Sequence, residues 1–184
     1  MRVAFVLAVL LAAPVAGTAD PVHLPLDAMG QVVIQVVDNP TGGNRVFIVD
    51  QIEESSAPDG TVAALFWLWP NMTGWPDVQA TGPDRFTAYS GCDATCGRWG
   101  NVYEYKAVRR NGAWVLAGFT RVTNDRIEAS VTVCDVNLLT SAVEKKFLPS
   151  DGEDRTETLT TTARAMPLSD LTGDYMVPEC ADLP

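Results

Sequence analysis

The dipeptide Asn111-Gly112 is the feature that most restricts what this sequence can fold into. A type I′ hairpin turn needs positive φ at both central residues, and Asn-Gly tolerates that conformation well. On both sides of the dipeptide, apolar and polar residues alternate with a period of two, which is typical of strands half buried in an antiparallel sheet. The sequence therefore predicts a β-hairpin here, and the turn also predicts how its two strands pair.

The predicted pairing runs outward from the turn. Four pairs share one face, which is apolar and aromatic: Arg109 with Trp114, Ala107 with Leu116, Tyr105 with Gly118 and Tyr103 with Thr120. On this face an aromatic ring would cover the bare backbone of the strand glycine. The charged residues are predicted on the other face among three apolar ones: Glu104, Lys106 and Arg121, with Val108, Val115 and Phe119.

Further turn signals extend this hairpin into a larger sheet. Thr123-Asn124-Asp125 and Thr140-Ser141 divide residues 102–147 into four strand-length runs, so we predict a four-stranded meander. Residues 30–38 and 45–54 are β-branched runs that predict an earlier hairpin. Residues 61–69 are the most apolar stretch after the N-terminal segment, which favours a buried strand, with a helix as the alternative.

The segments after the meander complete the predicted fold class. Threonine-rich residues 155–164 predict an edge or late strand, and Ser169 would cap one helical turn within residues 167–175. The tail at 176–184 is predicted to lack secondary structure. We therefore predict an all-β fold in which an antiparallel meander and hairpins form a single sandwich or half-open barrel with little helix.

Residues 1–19 predict a secretory signal peptide. Arg2 precedes an unbroken apolar run at 3–13, and small residues precede a cleavage site before Asp20. The apolar run is well short of the roughly 20 residues that a membrane span requires. We therefore expect one β-rich domain at 20–184 that is periplasmic or secreted and has no membrane span.

The charge balance restricts the partners that such a domain can have. The chain has 13 basic and 23 acidic residues, so its formal net charge is −10, and it becomes −11 without the one basic residue of the segment 1–19. Nucleic-acid binding requires clustered Lys and Arg that neutralise phosphates, and an anionic lipid surface would also repel this chain. We therefore expect no nucleic-acid partner, whereas a basic partner is permitted.

Four cysteines, Cys92, Cys96, Cys134 and Cys180, predict two disulfide bonds. An even number in an exported chain favours disulfides over a zinc site or a thiol redox centre. Four cysteines allow three pairings. We predict Cys92–Cys96, a local loop flanked by glycines, and Cys134–Cys180, which would tie the C-terminal tail to the meander.

The single histidine, His23, argues against several catalytic classes, because a Ser-His-Asp centre, a Cys-His centre or a histidine zinc site would depend on it alone. Carboxylates are plentiful, so the composition allows a paired-acid glycosidase. Five acidic residues on or near the predicted strands are candidates: Asp50, Glu53, Glu104, Glu128 and Asp135. The simpler interpretation is a solvated acidic face, with Asp135 as a bulge residue that caps a turn at Asn137. The acidic turn at 151–154 lacks the ligand order of an EF-hand, so we predict no metal and no cofactor.

Residues 70–100 are rich in proline and glycine and predict an irregular loop region inserted before the meander, with at most one short strand at 86–90. Loops of this length within a compact domain usually carry function. Two tryptophans in this region would mark a binding patch if exposed, although packing over a small core is the alternative. The predicted binding residues are these tryptophans and two charged neighbours: Trp75, Trp99, Arg98 and Asp77.

Two functions follow from these observations. The first is a non-catalytic binding or inhibitor-type module of the bacterial cell envelope, whose partner is another protein or an envelope ligand. The alternative is a hydrolase that acts on a glycan through two carboxylates. Such an enzyme needs the two carboxylates about 5–10 Å apart in a concave pocket. We favour the binding module because the sequence shows no recognisable nucleophile motif.

Overall fold

The computed structural model describes residues 22–25, 30–38, 45–53, 61–93 and 95–183, and it confirms the predicted all-β class. Two sheets pack face to face as a sandwich, and neither closes into a barrel. The predicted signal segment 1–19 lies outside the described residues. Within those residues, no helix has the length and apolar character needed to cross a membrane.

The smaller sheet contains four consecutive antiparallel strands. They are β1 (Val22–Pro25), β2 (Gly30–Asp38), β3 (Arg45–Glu53) and β4 (Thr61–Leu68). The predicted hairpin is therefore confirmed, and the apolar stretch at 61–68 is a strand rather than a helix. Alternate described side chains of β2, β3 and β4 are buried, and two of them, Phe47 and Phe66, stack with their ring centroids 4.8 Å apart.

The larger sheet contains the predicted meander and five further strands. These strands are β5 (Asn71–Met72), β6 (Val78–Gly82), β7 (Arg85–Cys92), β8 (Trp99–Arg110), β9 (Ala113–Asp125), β10 (Ser130–Asn137), β11 (Ala142–Leu148), β12 (Arg155–Thr160) and β13 (Met166–Pro167). Their order is β12-β11-β10-β9-β8-β7-β5, with β6 also beside β7 and β13 also beside β9. The pairs are antiparallel except β5 with β7, which is parallel. Residues 70–100 are thus more regular than expected, because their prolines lie between short strands and three of their glycines are accommodated within the strands.

The hairpin turn is formed as predicted, since Asn111 and Gly112 have φ of 52° and 83°. The next turn comes later than predicted, at 126–129, because the Asp125 side chain accepts hydrogen bonds from the backbone N–H groups of Ile127 and Glu128. An aspartate that bonds forward in this way starts a turn. The predicted turn at 123–125 is therefore wrong, and these residues extend β9.

One extra residue in β9 changes the register that the turn predicts. The two pairs nearest the turn are as predicted: Arg109 with Trp114 and Ala107 with Leu116. Lys106 then pairs with Gly118, so Ala117 is left unpaired as a β-bulge. The backbone oxygen of Ala117 accepts a hydrogen bond of 2.9 Å from Leu138 N–H. The edge of β9 changes its partner at the same point, from β10 on one side of the bulge to β13 on the other.

A shift of one residue exchanges the two faces of a strand. Tyr105 therefore pairs with Phe119 and Tyr103 with Arg121, so the predicted partners of these two tyrosines are wrong. Phe119, predicted on the charged face, is fully buried in the core. Its ring centroid lies 5.6 Å from that of Tyr105.

Arg121 also lies on the inner face, with only 9% of its surface exposed. Its guanidinium donates to Asn101 Oδ1 at 3.0 and 3.1 Å and to the backbone oxygens of Cys180 and Ala181 at 2.9 and 3.1 Å. These contacts satisfy a buried charge and hold the end of the chain against the large sheet. That end is a short helix, α1 (Pro178–Ala181), where no secondary structure was predicted.

Both predicted disulfide bonds are present. Cys92–Cys96 closes a local loop, and Cys134–Cys180 joins β10 to α1 with its Cα atoms 5.7 Å apart. A 3₁₀ turn at Leu168–Asp170 precedes α1, and no side chain caps it, so Ser169 lies within the turn rather than at its cap.

Three aromatic rings connect the two sheets across the core. Phe66 of the small sheet lies 6.5 Å from Phe86 of β7, and Phe86 lies 5.1 Å from Trp114 of β9. Trp114 is only 3% exposed, as expected for its inward position. In the part of the chain that the structure describes, no further sheet covers the opposite face of the large sheet, and the candidate site lies there.

Candidate functional site

A cleft of about 540 Å³ lies on the outer face of the large sheet. It lies over two rows of residues, and the members of each row sit directly opposite one another on adjacent strands from β7 to β10. The first row is Tyr89, Glu104, Thr120 and Asp135, and the second is Thr87, Lys106, Gly118 and Asn137. All of them except Thr120 line the cleft itself.

The cleft exists because small residues occupy the middle of this face. Ala117 and Gly118 lie on its floor, while Arg85 and Leu139 line it from the start of β7 and from the turn between β10 and β11. An added Cβ at Gly118 would lie 3.2 Å from Lys106 Cδ and 3.1 Å from the backbone oxygen of Val136. The glycine therefore leaves room for the lysine side chain to lie across the floor.

Asp135 is the acidic residue whose interactions within the cleft are complete. Lys106 Nζ lies 2.5 Å from Asp135 Oδ1, and the Thr120 hydroxyl donates to the same oxygen. Burial opposes ionisation of this carboxyl, but the hydrogen bonds from Lys106 and Thr120 outweigh it and lower the pKa of Asp135. Asp135 pairs regularly with Thr120 and Glu144, so the predicted bulge at this position is wrong. The turn at 138–141 is capped by Asn137, whose Oδ1 accepts hydrogen bonds from the backbone N–H groups of Leu139 and Thr140.

Glu104 is the acidic residue whose interactions are incomplete. It lines the cleft half-buried, and within the described part of the chain its carboxylate has no salt bridge or side-chain hydrogen bond. Burial raises the pKa of Glu104, the charge of Lys106 opposes this rise, and that of Asp135 adds to it. Because Glu104 and Asp135 lie two strands apart in one row, their Cα atoms are separated by about 10 Å.

Tyr89 forms an aromatic wall beside Glu104. Its side chain is 5% exposed, and its hydroxyl lies 3.1 Å from Gln79 Oε1 on β6. Burial and the neighbouring carboxylate of Glu104 both raise the pKa of Tyr89. Trp75 packs against this ring at 5.4 Å between centroids, yet 52% of its own surface remains exposed. The two rings therefore form one aromatic surface that begins at the cleft and reaches solvent at Trp75.

A network of local hydrogen bonds holds the loop that carries Trp75. Asn71 Nδ2 donates to the Trp75 backbone oxygen at 2.7 Å, and the Thr73 hydroxyl donates to Asn71 Oδ1 at 2.6 Å. Trp75 N–H in turn donates to the Thr73 hydroxyl at 3.2 Å, and Gly74 adopts φ of 84° to complete the bend. An exposed tryptophan on a loop fixed in this way loses little conformational entropy on binding.

Trp99 and Arg98, the second pair of predicted binding residues, belong to a different cluster. The Arg98 guanidinium lies 4.7 Å from the Trp99 ring centroid and donates to Asp125 at 3.0, 3.1 and 2.5 Å. The hydrogen bonds from Arg98 lower the pKa of Asp125 to about 2. Arg98 is also 3.7 Å from Glu128. This cluster stabilises the turn at 126–129.

Asp77, the fourth predicted binding residue, connects the two sheets. Its carboxylate forms an ion pair with Arg45 of β3, and its backbone oxygen accepts Tyr89 N–H at 2.9 Å. The structure thus places Trp75 beside the cleft, Asp77 between β3 and β7, and Arg98 with Trp99 at the β9–β10 turn.

The sequence analysis did not identify Tyr89 or Lys106 as site residues. Tyr89 was overlooked because its strand lies in the region expected to be irregular. Lys106 was correctly placed on the face of Glu104, but the bulge hid that Gly118 lies opposite it. The adjacent small residues Ala117 and Gly118, with larger side chains on the neighbouring strands, are the sequence signal that could have indicated the cleft. Among the described residues, no group of three or more His, Cys, Asp or Glu is placed to hold a metal ion.

No protein-family model matches this chain, and no curated protein or solved structure is significantly similar to it.

Proposed function

We propose that the protein is a non-catalytic binding or inhibitor-type module of the bacterial cell envelope, and that it binds its partner in the cleft on the outer face of the large sheet. The observation that carries this proposal is the combination of a 540 Å³ open cleft with an exposed tryptophan beside it. Exposed aromatic residues beside a concave surface are typical of binding sites. Hydrogen bonds already hold the loop around Trp75, so the loop loses little conformational entropy when a partner binds.

The charges of the cleft also support binding rather than catalysis. Asp135 is held ionised by Lys106 and Thr120, so this carboxylate is occupied by its own neighbours. A side chain committed to an ion pair serves better as a rigid wall than as a nucleophile.

Export to the cell envelope is part of the same proposal. Two disulfide bonds favour an oxidising compartment. N-terminal sequencing of the protein recovered from the envelope fraction should begin at Asp20, with the residues DPVHLPLD. A protein in that fraction that starts at Met1 would contradict cleavage.

The binding proposal is tested by a pull-down from envelope extract with three forms of the protein. The wild type should retain a partner that Trp75→Ala loses, because the exposed ring is expected to lie in the interface. Ile127→Ala is the matched control, since this side chain is 69% exposed but lies in the β9–β10 turn. Equal recovery with Trp75→Ala and Ile127→Ala would show that the partner binds elsewhere.

A carboxylate hydrolase that acts on a glycan is the second candidate, and one observation favours it. Glu104 and Asp135 line the same cleft, and their environments shift their pKa values in opposite directions. Two carboxyls of this kind can act as acid and as base or nucleophile, with Glu104 as the acid. Release of reducing sugar from envelope glycans by the wild type, with loss in both Glu104→Gln and Asp135→Asn, would favour the enzyme. Release that persists in both variants would exclude this pair.

A further inference from the structure

Glu104 and Asp135 differ in a way that identifies the chemistry missing from the cleft. Asp135 has a lysine at 2.5 Å and a threonine hydroxyl on the same oxygen. Glu104 has neither, although it is only partly exposed in the cleft. A half-buried carboxylate is normally compensated by an opposite charge or by hydrogen bonds. Of the two cations that line the described cleft, Lys106 is already bound to Asp135, and Arg85 lies at the start of β7, four residues before Tyr89.

The aromatic side chain next to Glu104 can also interact favourably with a positive charge. Tyr89 sits directly opposite Glu104 on the adjacent strand and lines the same cleft. Cations bind to the faces of aromatic rings, and Trp75 extends the aromatic surface towards solvent. A carboxylate beside an aromatic wall is a combination that accommodates an ammonium or guanidinium group with its aliphatic stem.

The net charge of the whole chain also favours a cationic partner. A formal net charge of −10 attracts basic molecules over distances longer than any single contact. Such long-range attraction is most effective for a partner with a large basic surface, which is a property of proteins rather than of neutral saccharides.

We propose that the cleft receives a lysine or arginine side chain of a basic protein partner, with Glu104 as its counter-ion and the ring of Tyr89 as its wall. This inference rests on the proposed binding function, because it assigns a partner class to the same cleft. A neutral saccharide would leave Glu104 without a counter-charge.

The experiment is an NMR titration of the ¹⁵N-labelled protein with both disulfides intact. The probes are Nα-acetyl-lysine amide and Nα-acetyl-arginine amide, and Nα-acetyl-norleucine amide supplies the same aliphatic stem without a charge. The cationic amides should shift the backbone amides of Tyr89, Glu104 and Gly118 in a saturable way. The norleucine amide should not.

Two charge variants separate a local contact from the general acidity of the chain. Glu104→Gln should weaken the cationic probes by about tenfold, the loss expected for one charge-assisted hydrogen bond. Glu153→Gln is the matched control, because it removes the same charge from an exposed turn between β11 and β12. It should bind the probes like the wild type.

Three results would overturn the assignment of a cationic side chain. They are equal binding of the norleucine amide, equal weakening in the two glutamine variants, and a response at the cleft to an N-acetylglucosamine tetramer, which is neutral, but not to the amino-acid amides. A fourth result, the absence of any response at millimolar probe, would also overturn it. None of these results removes the binding function itself, which fails only if the partner captured from envelope extract binds Trp75→Ala as well as it binds the wild type.

Discussion

Replacing Cys134 and Cys180 by alanine removes the bridge that spans 46 residues of sequence, whereas replacing Cys92 and Cys96 removes one that spans 4. A bridge stabilises the fold chiefly by restricting the unfolded chain, and this effect grows with the logarithm of the loop length. The chain-entropy relation gives about 4 kcal/mol for the long bridge and about 2 kcal/mol for the short one. The long bridge should therefore contribute about twice as much to the free energy of unfolding.

The surroundings of the two bridges add to this difference. Cys134 and Cys180 are both fully buried in the core, so their replacement also leaves a small cavity. The short bridge lies beside Arg126, which donates hydrogen bonds to the backbone oxygens of Asp93 and Gly97 and would hold the loop without it. The expected loss for the short bridge is thus an upper bound.

Thermal unfolding of the two double variants measures the difference. For a domain of this size, 1 kcal/mol corresponds to about 2–4 °C in Tm, so the long-bridge variant should melt about 8–16 °C below the wild type. The short-bridge variant should melt about 4–8 °C below it or less. The reasoning is refuted if the short-bridge variant melts as early as the long-bridge variant.

The remaining predictions concern single side chains. Trp114→Ala should cost about 3–5 kcal/mol of stability in denaturant unfolding because the ring is buried in the core, whereas Trp75→Ala should cost under about 1 kcal/mol; an equal loss would mean that Trp75 is a core lid. The raised pKa of Glu104 favours the protonated carboxyl in the folded state, so the stability of the protein falls as the pH rises from the ordinary glutamate pKa through the raised one. Glu104→Gln should therefore raise the Tm at pH 7 but not at pH 3. A lower Tm of this variant at pH 7 would contradict the prediction. The pKa of Asp125 is lowered to about 2, so the stability that its ionised carboxylate contributes is present above the ordinary aspartate pKa and is lost as the pH falls through about 2. Asp125→Asn should therefore have a lower Tm than the wild type at pH 7, and the difference should vanish below pH 2. A difference in Tm that does not change with pH would contradict the role of the ionised carboxylate. Asn71→Ala should weaken partner binding measured by titration calorimetry while leaving the Tm within a few degrees, because it releases the loop of Trp75; unchanged affinity would show that the loop needs no positioning.

Local sequence signals predicted most of the long strands and the hairpin turn correctly because these depend on near neighbours. Asn111-Gly112 determines its own turn, and the pairs closest to it follow from geometry alone. The disulfide pairing was predictable for a similar reason, since Cys92 and Cys96 are close in the chain and leave one partner for Cys134.

The bulge was not predictable because its cause lies far away in the sequence. Ala117 has no conformational preference for a bulge, and its backbone oxygen is used by Leu138 N–H. The strand beyond it pairs with Met166 and Pro167, about fifty residues later. Interactions at such sequence separation are invisible to a pattern that is read with a period of two.

The candidate site was predictable only in part for the same reason. Alternation placed Glu104 and Lys106 on one face, and the structure confirms that they share it. Their relation to Asp135 required the register of two further strands, and the misplaced turn after β9 concealed it. Tyr89 also belongs to the site, but its strand β7 lies in a proline- and glycine-rich region for which the sequence predicted mainly irregular structure.

The bulge at Ala117 divides β9 into two halves with opposite phase. Before it, inward side chains fall on even numbers, as at Trp114 and Leu116, and after it they fall on odd numbers, as at Phe119 and Arg121. Core and cleft therefore depend on the number of residues in this strand as much as on their identity. A single insertion or deletion in β9 after the bulge would turn Phe119 and Arg121 towards the face of the cleft and Thr120 towards the core.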